Sequence, residues 1–275
     1  MRYIVPLILF CASVFASPPY KQFFSSFDSA SEFTGVVIPG TYNSTHWITA
    51  NVDSLLFGIH GHHARTLSQG APTNADSLNR VHRAYPYILL DQEPTGCIHG
   101  PIFIRFYLRA WMNLQLRSPT NDWFSDFTLS PDSVRTGGTW DTVVTGIIAA
   151  NAPNYLSFEH ILTTVYQAND SNSPNLSKRF TQGIWHRIDI FLDPNPTTGY
   201  IKRWQDGQLV NWATVHDLNN RTCAMHFGLY SSPATGTEPS QRVTAENDYL
   251  FYTSVTNEAE AWHLYMSGEN TNLAQ

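Results

Sequence analysis

The sequence predicts an all-β protein, two antiparallel sheets packed as a sandwich, and three observations predict it. Runs rich in Val, Ile, Tyr, Phe and Thr recur between clusters of Gly, Pro, Asn and Asp. Amphipathic helical periods are absent, except that Asn257–Met266 reads as one short helix. One long run, Ile102–Leu116, alternates with a strict period of two and is apolar at every even position.

In chain order, Met1–Ala16 (MRYIVPLILFCASVFA) has one Arg, an apolar run and small residues before Ser17. That is the order of a signal peptide, too short for a membrane anchor, so the mature chain is expected to be 17–275, secreted and extracellular. Strands are expected over Tyr87–Leu90, Ile102–Leu116, Thr142–Ala149, Trp185–Leu192, Tyr200–Trp204, Met225–Tyr230 and Asp248–Val255. Asp193–Gly199 and Asp206-Gly207 punctuate adjacent strands as turns, and Ala168–Lys178 reads as an exposed loop. No internal repeat or long linker divides the chain, which argues for one sandwich domain.

Composition removes several functions. The 275 residues carry 22 acidic against 16 basic side chains, a net charge of -6, which opposes nucleic-acid binding. Only 14% of residues are charged and 13% are aromatic, so the chain is neither disordered nor a coiled coil. No later run is apolar for long enough to span a bilayer. Losing the signal removes Cys11 and leaves Cys97 and Cys223, an even pair expected to form a disulfide in an oxidising compartment. Asn43, Asn169, Asn175 and Asn220 each begin a glycosylation sequon, as a secreted protein would carry. A monomer is expected.

The alternating run also suggests a binding face. Its odd positions are Phe103, Arg105, Tyr107, Arg109, Trp111, Asn113, Gln115 and Arg117, a ladder that one sheet face must carry. Guanidinium forks, amides and rings suit a polysaccharide with carboxylates or sulfates: bidentate anion contacts, hydroxyl partners and stacking faces. The competing reading is an amphipathic strand that is simply solvated on one side. Trp185–Leu192 repeats the pattern, with Ile188, Ile190 and Leu192 inward and Arg187 and Asp189 outward.

The segments Gly183–Asp193 (GIWHRIDIFLD) and Gly199–Val210 (GYIKRWQDGQLV), with Met225–Tyr230 and Asn247–Leu250 as closing strands, resemble the concanavalin A-like jelly-roll superfamily. Within it the pattern is most similar to secreted polysaccharide lyase-like proteins, over residues 80–255. The resemblance implies the jelly roll and a carbohydrate ligand; lectins, hydrolases and lyases share that architecture. It also brings the prospect of a structural calcium, whose oxygen ligands would come from loops. No other cofactor is implied.

The chemistry narrows the choice. Laminarinase-type hydrolysis would need Glu-x-Asp-x-x-Glu on one strand, which the chain lacks; Glu159 and Asp189 stand apart. Elimination from a uronate needs a cation or amide on the carboxylate, a base for the C5 proton and an acid for the leaving oxygen. Candidate neutralisers are Arg105, Arg109, Gln115 and Arg83; candidate bases are His160 and His226; candidate acids are Tyr107 and Tyr230. Tyr85, Trp111 and Asn113 join Arg83, Arg109 and Gln115 as expected substrate contacts. Alternation puts His226 and Tyr230 on one face, while Val81–Pro86 also reads as a strand-entry turn. His60-Gly61-His62-His63 lacks a Cys or carboxylate to complete a metal set, so no metal is assigned. Three readings stay open: a lyase acting on an acidic polysaccharide, a lectin using the same face, and a structural extracellular protein.

Overall fold

The computed structural model describes residues 22–25, 33–37, 47–51, 63–69, 82–90, 96–113, 123–131, 143–149, 156–162, 165–168, 180–215, 218–231 and 242–266. These run through β1 (Gln22–Ser25), β2 (Gly35–Val37), β3 (Trp47–Asn51), β4 (His63–Gln69), β5 (His82–Leu89) and β6 (Ile98–His99). Then follow β7 (Ile102–Asn113), β8 (Trp123–Ser130), β9 (Val143–Ala149), β10 (Leu156–Leu162), β11 (Val165–Ala168) and β12 (His186–Asp193). β13 (Tyr200–Gln205), β14 (Gln208–Thr214), β15 (Arg221–Thr222), β16 (Ala224–Ser231) and β17 (Arg242–Ser254) complete the strands, before helix α1 (Glu258–Ala261) and a π-turn, Trp262–Met266.

The strands form two large antiparallel sheets. The first has the order β14-β13-β12-β7-β17-β4-β3, with β1 added on β17; the second has the order β11-β10-β9-β8-β16-β5-β2. The chain crosses repeatedly between them, so that β17, late in sequence, lies between β7 and β4. Alternation explains the packing. Ile102, Ile104, Phe106, Leu108 and Ala110 of β7 and Ile188, Ile190 and Leu192 of β12 turn inward and are buried. They meet Phe127, Leu129, Met225 and Phe227 of the second sheet, with Phe106 edge-on to Phe227 at 5.3 Å.

One charge pair crosses this core. Arg203 of β13 and Asp126 of β8 are fully buried, with Nη1 3.1 Å from Oδ1, and Arg203 Nε donates to Asn211 at 2.9 Å. Against β9, Asp126 is the extra residue of a bulge, since Ser125 pairs with Ile147 and Phe127 with the adjacent Gly146. Between Phe127 and Ser125 the pairing with β16 slips so that Gly228 and Leu229 face Asp126 alone.

The third, two-stranded sheet pairs β15 with β6, and the Cys97–Cys223 disulfide closes it across 126 residues. The pairing expected from the sequence is therefore present. Asp206 and Gly207 both take positive φ, 52° and 82°, and make the tight turn between β13 and β14. The expected C-terminal helix is present as α1 and the π-turn, capped by Asn257, whose Oδ1 accepts from the Glu260 N–H at 2.9 Å. Residues 1–16, Gln115 and the loop Ala168–Lys178 beyond its first residue lie outside the described residues.

Candidate functional site

The face of the first sheet turned away from the core carries the alternating ladder, and the structure corrects its expected role. Phe103 is fully buried in a second apolar cluster with Phe191, Trp204, Phe251, Ala261 and Met266, over which α1 and the π-turn pack. Arg105 is buried, its Nε donating to Asp189 at 2.6 Å. Arg109 is buried as well, its Nε donating to Glu246 at 2.6 Å while its guanidinium lies 4.7 Å from the centre of the Trp185 ring. Asp189 also forms an ion pair with Arg187 at 3.0 Å. These arginines are matched by carboxylates from neighbouring strands, so they do not present the open row of cations that a polyanion would need.

Tyr107 sits half-buried among them, edge-on to Tyr249 at 6.1 Å. Burial raises the Tyr107 hydroxyl above its ordinary pKa, with Arg105 and Arg187 pulling the other way. Tyr249 is raised too, again chiefly by burial, and its backbone takes φ 49° at the irregularity between Asp248 and Phe251. A non-glycine residue in that region stores about 1–3 kcal/mol of strain. Trp111 and Asn113 continue β7 opposite Thr244 and Arg242.

The second sheet gathers a different set. One cross-strand row runs Glu159–Thr145–Thr128–His226–Tyr87, each pair directly opposite in register. Adjacent Cα atoms in such a row stand about 4.5–5.5 Å apart. Another row runs Ile147–Ser125–Tyr230–Arg83. Between them along β16 lies Gly228, beside the bulge, and along β5 lies Tyr85. His226 and Tyr230 thus belong to one face, as expected, and Arg83 pairs directly with Tyr230. His226 is 2% exposed, seated between Thr128 and Tyr87. His160 falls in another row: it pairs with Val144, which pairs with Leu129 of the core.

The candidates from the sequence are therefore divided between two sheets. Arg105, Tyr107, Arg109, Trp111 and Asn113 share β7, whereas Arg83, Tyr85, His160, His226 and Tyr230 share the second sheet. The packed core between the sheets keeps the two groups from acting at one point. Thr128, Thr145 and Tyr87, not singled out from the sequence, join His226 because register, rather than chain proximity, brings them there. β8 presents no carboxylate on this face, since its one acid, Asp126, is buried against Arg203.

Among the described residues no group of three or more His, Cys, Asp or Glu could hold a metal ion, and no helix is long and apolar enough to cross a membrane. Asn220 is exposed in a turn, while Asn43, Asn169 and Asn175 lie outside the described residues, as do His60 and His62.

No protein family matches the chain, and no curated protein matches it. Solved structures do. A β-glucanase of Bacillus licheniformis is 13% identical, with 85% of this chain and 98% of that one covered and a TM-score of 0.48. An alginate lyase from Aplysia kurodai is 9% identical over 84% of this chain and 97% of that one, with a TM-score of 0.49. A botulinum neurotoxin D/C binding domain is 14% identical over 86% of this chain and 48% of that one, with a TM-score of 0.47. Each is a likeness of chain course at low identity, and none assigns a family or a role to this chain.

Proposed function

We propose that this is an exported carbohydrate-active protein that cleaves a uronate-containing polysaccharide by β-elimination on the outer face of the second sheet. The observation that carries the reading is the register of β5 on β16: Arg83 opposite Tyr230, with Gly228 standing between Tyr230 and His226. A glycine at that pleat carries no side chain and leaves room for a sugar ring to approach the backbone.

The residue types then match the steps. Arg83 pairs with the uronate carboxylate and stabilises the enolate that develops on it. A base takes the C5 proton, the electron pair forms the C4–C5 double bond, and the C4–O4 bond breaks. Tyr230 donates its proton to the departing O4. Register favours His226 over His160 as the base, because His160 occupies a core row. The first-sheet arginines, already matched by carboxylates, are left out of the reaction. Export is supported by the N-terminal segment, by the disulfide and by the exposed Asn220 sequon.

One observation favours a second reading, binding without turnover. His226, at 2% exposure between Thr128 and Tyr87, is packed into the sheet rather than left open to substrate as a base.

The test is to incubate the protein with alginate, glucuronan, pectate and glycosaminoglycans and follow ultraviolet absorbance of the unsaturated product. Absorbance should rise on one substrate, and Tyr230→Phe should slow it about 100-fold or more. A flat trace with retention on an immobilised glycan of the panel would select the binding reading. A flat trace without retention would overturn both.

A further inference from the structure

We infer that the outer face of the first sheet carries a second carbohydrate site, a shelf for the faces of uncharged pyranose rings. It is independent of the elimination chemistry proposed above, which is assigned to the other sheet.

The shelf lies between β14, one edge of the first sheet, and α1 with its π-turn, which pack over Phe103, Phe191, Trp204 and Phe251 of the same sheet. Two large rings stand open there, Trp212 at 40% exposure and Trp262 at 43%. They flank one polar network. Trp212 lies directly opposite Lys202, and Lys202 Nζ donates to both oxygens of Glu258 at 2.8 Å. Glu258 precedes Trp262 by one helical turn, and the Tyr200 hydroxyl donates to Glu258 at 2.8 Å. Trp204, buried beneath, supports Trp262 at 6.3 Å between ring centres.

The chemistry selects the ligand. Broad, rigid ring faces beside a hydrogen-bonding network suit a pyranose, which offers an apolar C–H face to the ring and hydroxyls at its rim. Lys202, between the two rings, is matched by Glu258 and so is not held open for a uronate or a lipid phosphate. A dry protein interface would have to desolvate that ion pair, at a cost. A hydroxylated ligand would instead replace the water around it.

The probes are cellohexaose, mannohexaose and xylohexaose, titrated calorimetrically against the intact protein and against Trp212→Ala and Trp262→Ala. At least one hexasaccharide should bind, about tenfold more weakly to each alanine variant. Trp262→Phe, which keeps a ring on the shelf, should regain most of the binding and serves if Trp262→Ala does not fold. The titration uses neutral sugars and no turnover, so hexasaccharide binding alongside a flat ultraviolet trace marks failure of the elimination reading alone, and a rising trace without hexasaccharide binding marks failure of this site alone. The inference is overturned if no neutral hexasaccharide binds, or if the tryptophan variants bind unchanged. Capture of phosphatidylcholine vesicles through these tryptophans, with no sugar bound, would overturn it equally.

Discussion

Arg203 and Asp126 show how much a single pair of residues is asked to do. Both are fully buried, and burial pushes the Asp126 carboxyl above its ordinary value while the Arg203 charge opposes the rise. Removing one partner strands a charge in the core, so Asp126→Ala should cost about 3–5 kcal/mol in urea unfolding. Asp126→Leu combined with Arg203→Met should lie much nearer the intact protein than either single change, because no unmatched charge remains. The tyrosines make a pH prediction. Tyr107, Tyr249 and Tyr200 are all raised above 10, chiefly by burial, with Glu258 adding to the rise at Tyr200. The folded chain then holds protons that the unfolded chain releases. Stability should be intact below pH 10 and fall as pH rises through the folded-state values. Phenolate absorbance during an alkaline titration reads the shifts directly, and Tyr200→Phe should remove one late-titrating group.

At the scale of elements, the disulfide ties the ribbon of β15 and β6 across 126 residues. Replacing Cys97 and Cys223 together by alanine should cost about 4 kcal/mol, read as a lowered unfolding midpoint, since a long loop regains its freedom when unfolded. Elements with clean alternation were legible in the sequence: β7 and β12 follow the inward and outward pattern read from their residues, and the Asp206-Gly207 turn joins β13 to β14 as expected. β8 was not legible, because Asp126 bulges into the core and breaks the period of two that betrays a strand. The ladder of β7 was read correctly as a face and incorrectly as an open one. The carboxylates that match Arg105 and Arg109 lie 84 and 137 residues away, and no local pattern announces them. α1, which folds over Phe103, was legible as a helix, but its docking partner was not.

For the whole molecule, the sandwich presents different residues on its two outer faces. The first sheet carries matched ion pairs, a strained Tyr249 and the tryptophan shelf; the second carries Arg83, Tyr85, His226 and Tyr230 in adjoining rows. The sequence named most of these residues but could not separate them, since both sheets present tyrosine, histidine or arginine at alternating positions and only strand order decides which strands share a face. The separation is itself a prediction, because changes on one face should leave the other's activity in place. The most direct measurement compares Tyr230→Phe with Tyr107→Phe in the elimination assay, on whichever uronate polymer the intact protein cleaves. Loss of product absorbance in Tyr230→Phe, with Tyr107→Phe near the intact rate, is the predicted result. Loss in Tyr107→Phe, with Tyr230→Phe unaffected, would move the chemistry to the first sheet and contradict the account.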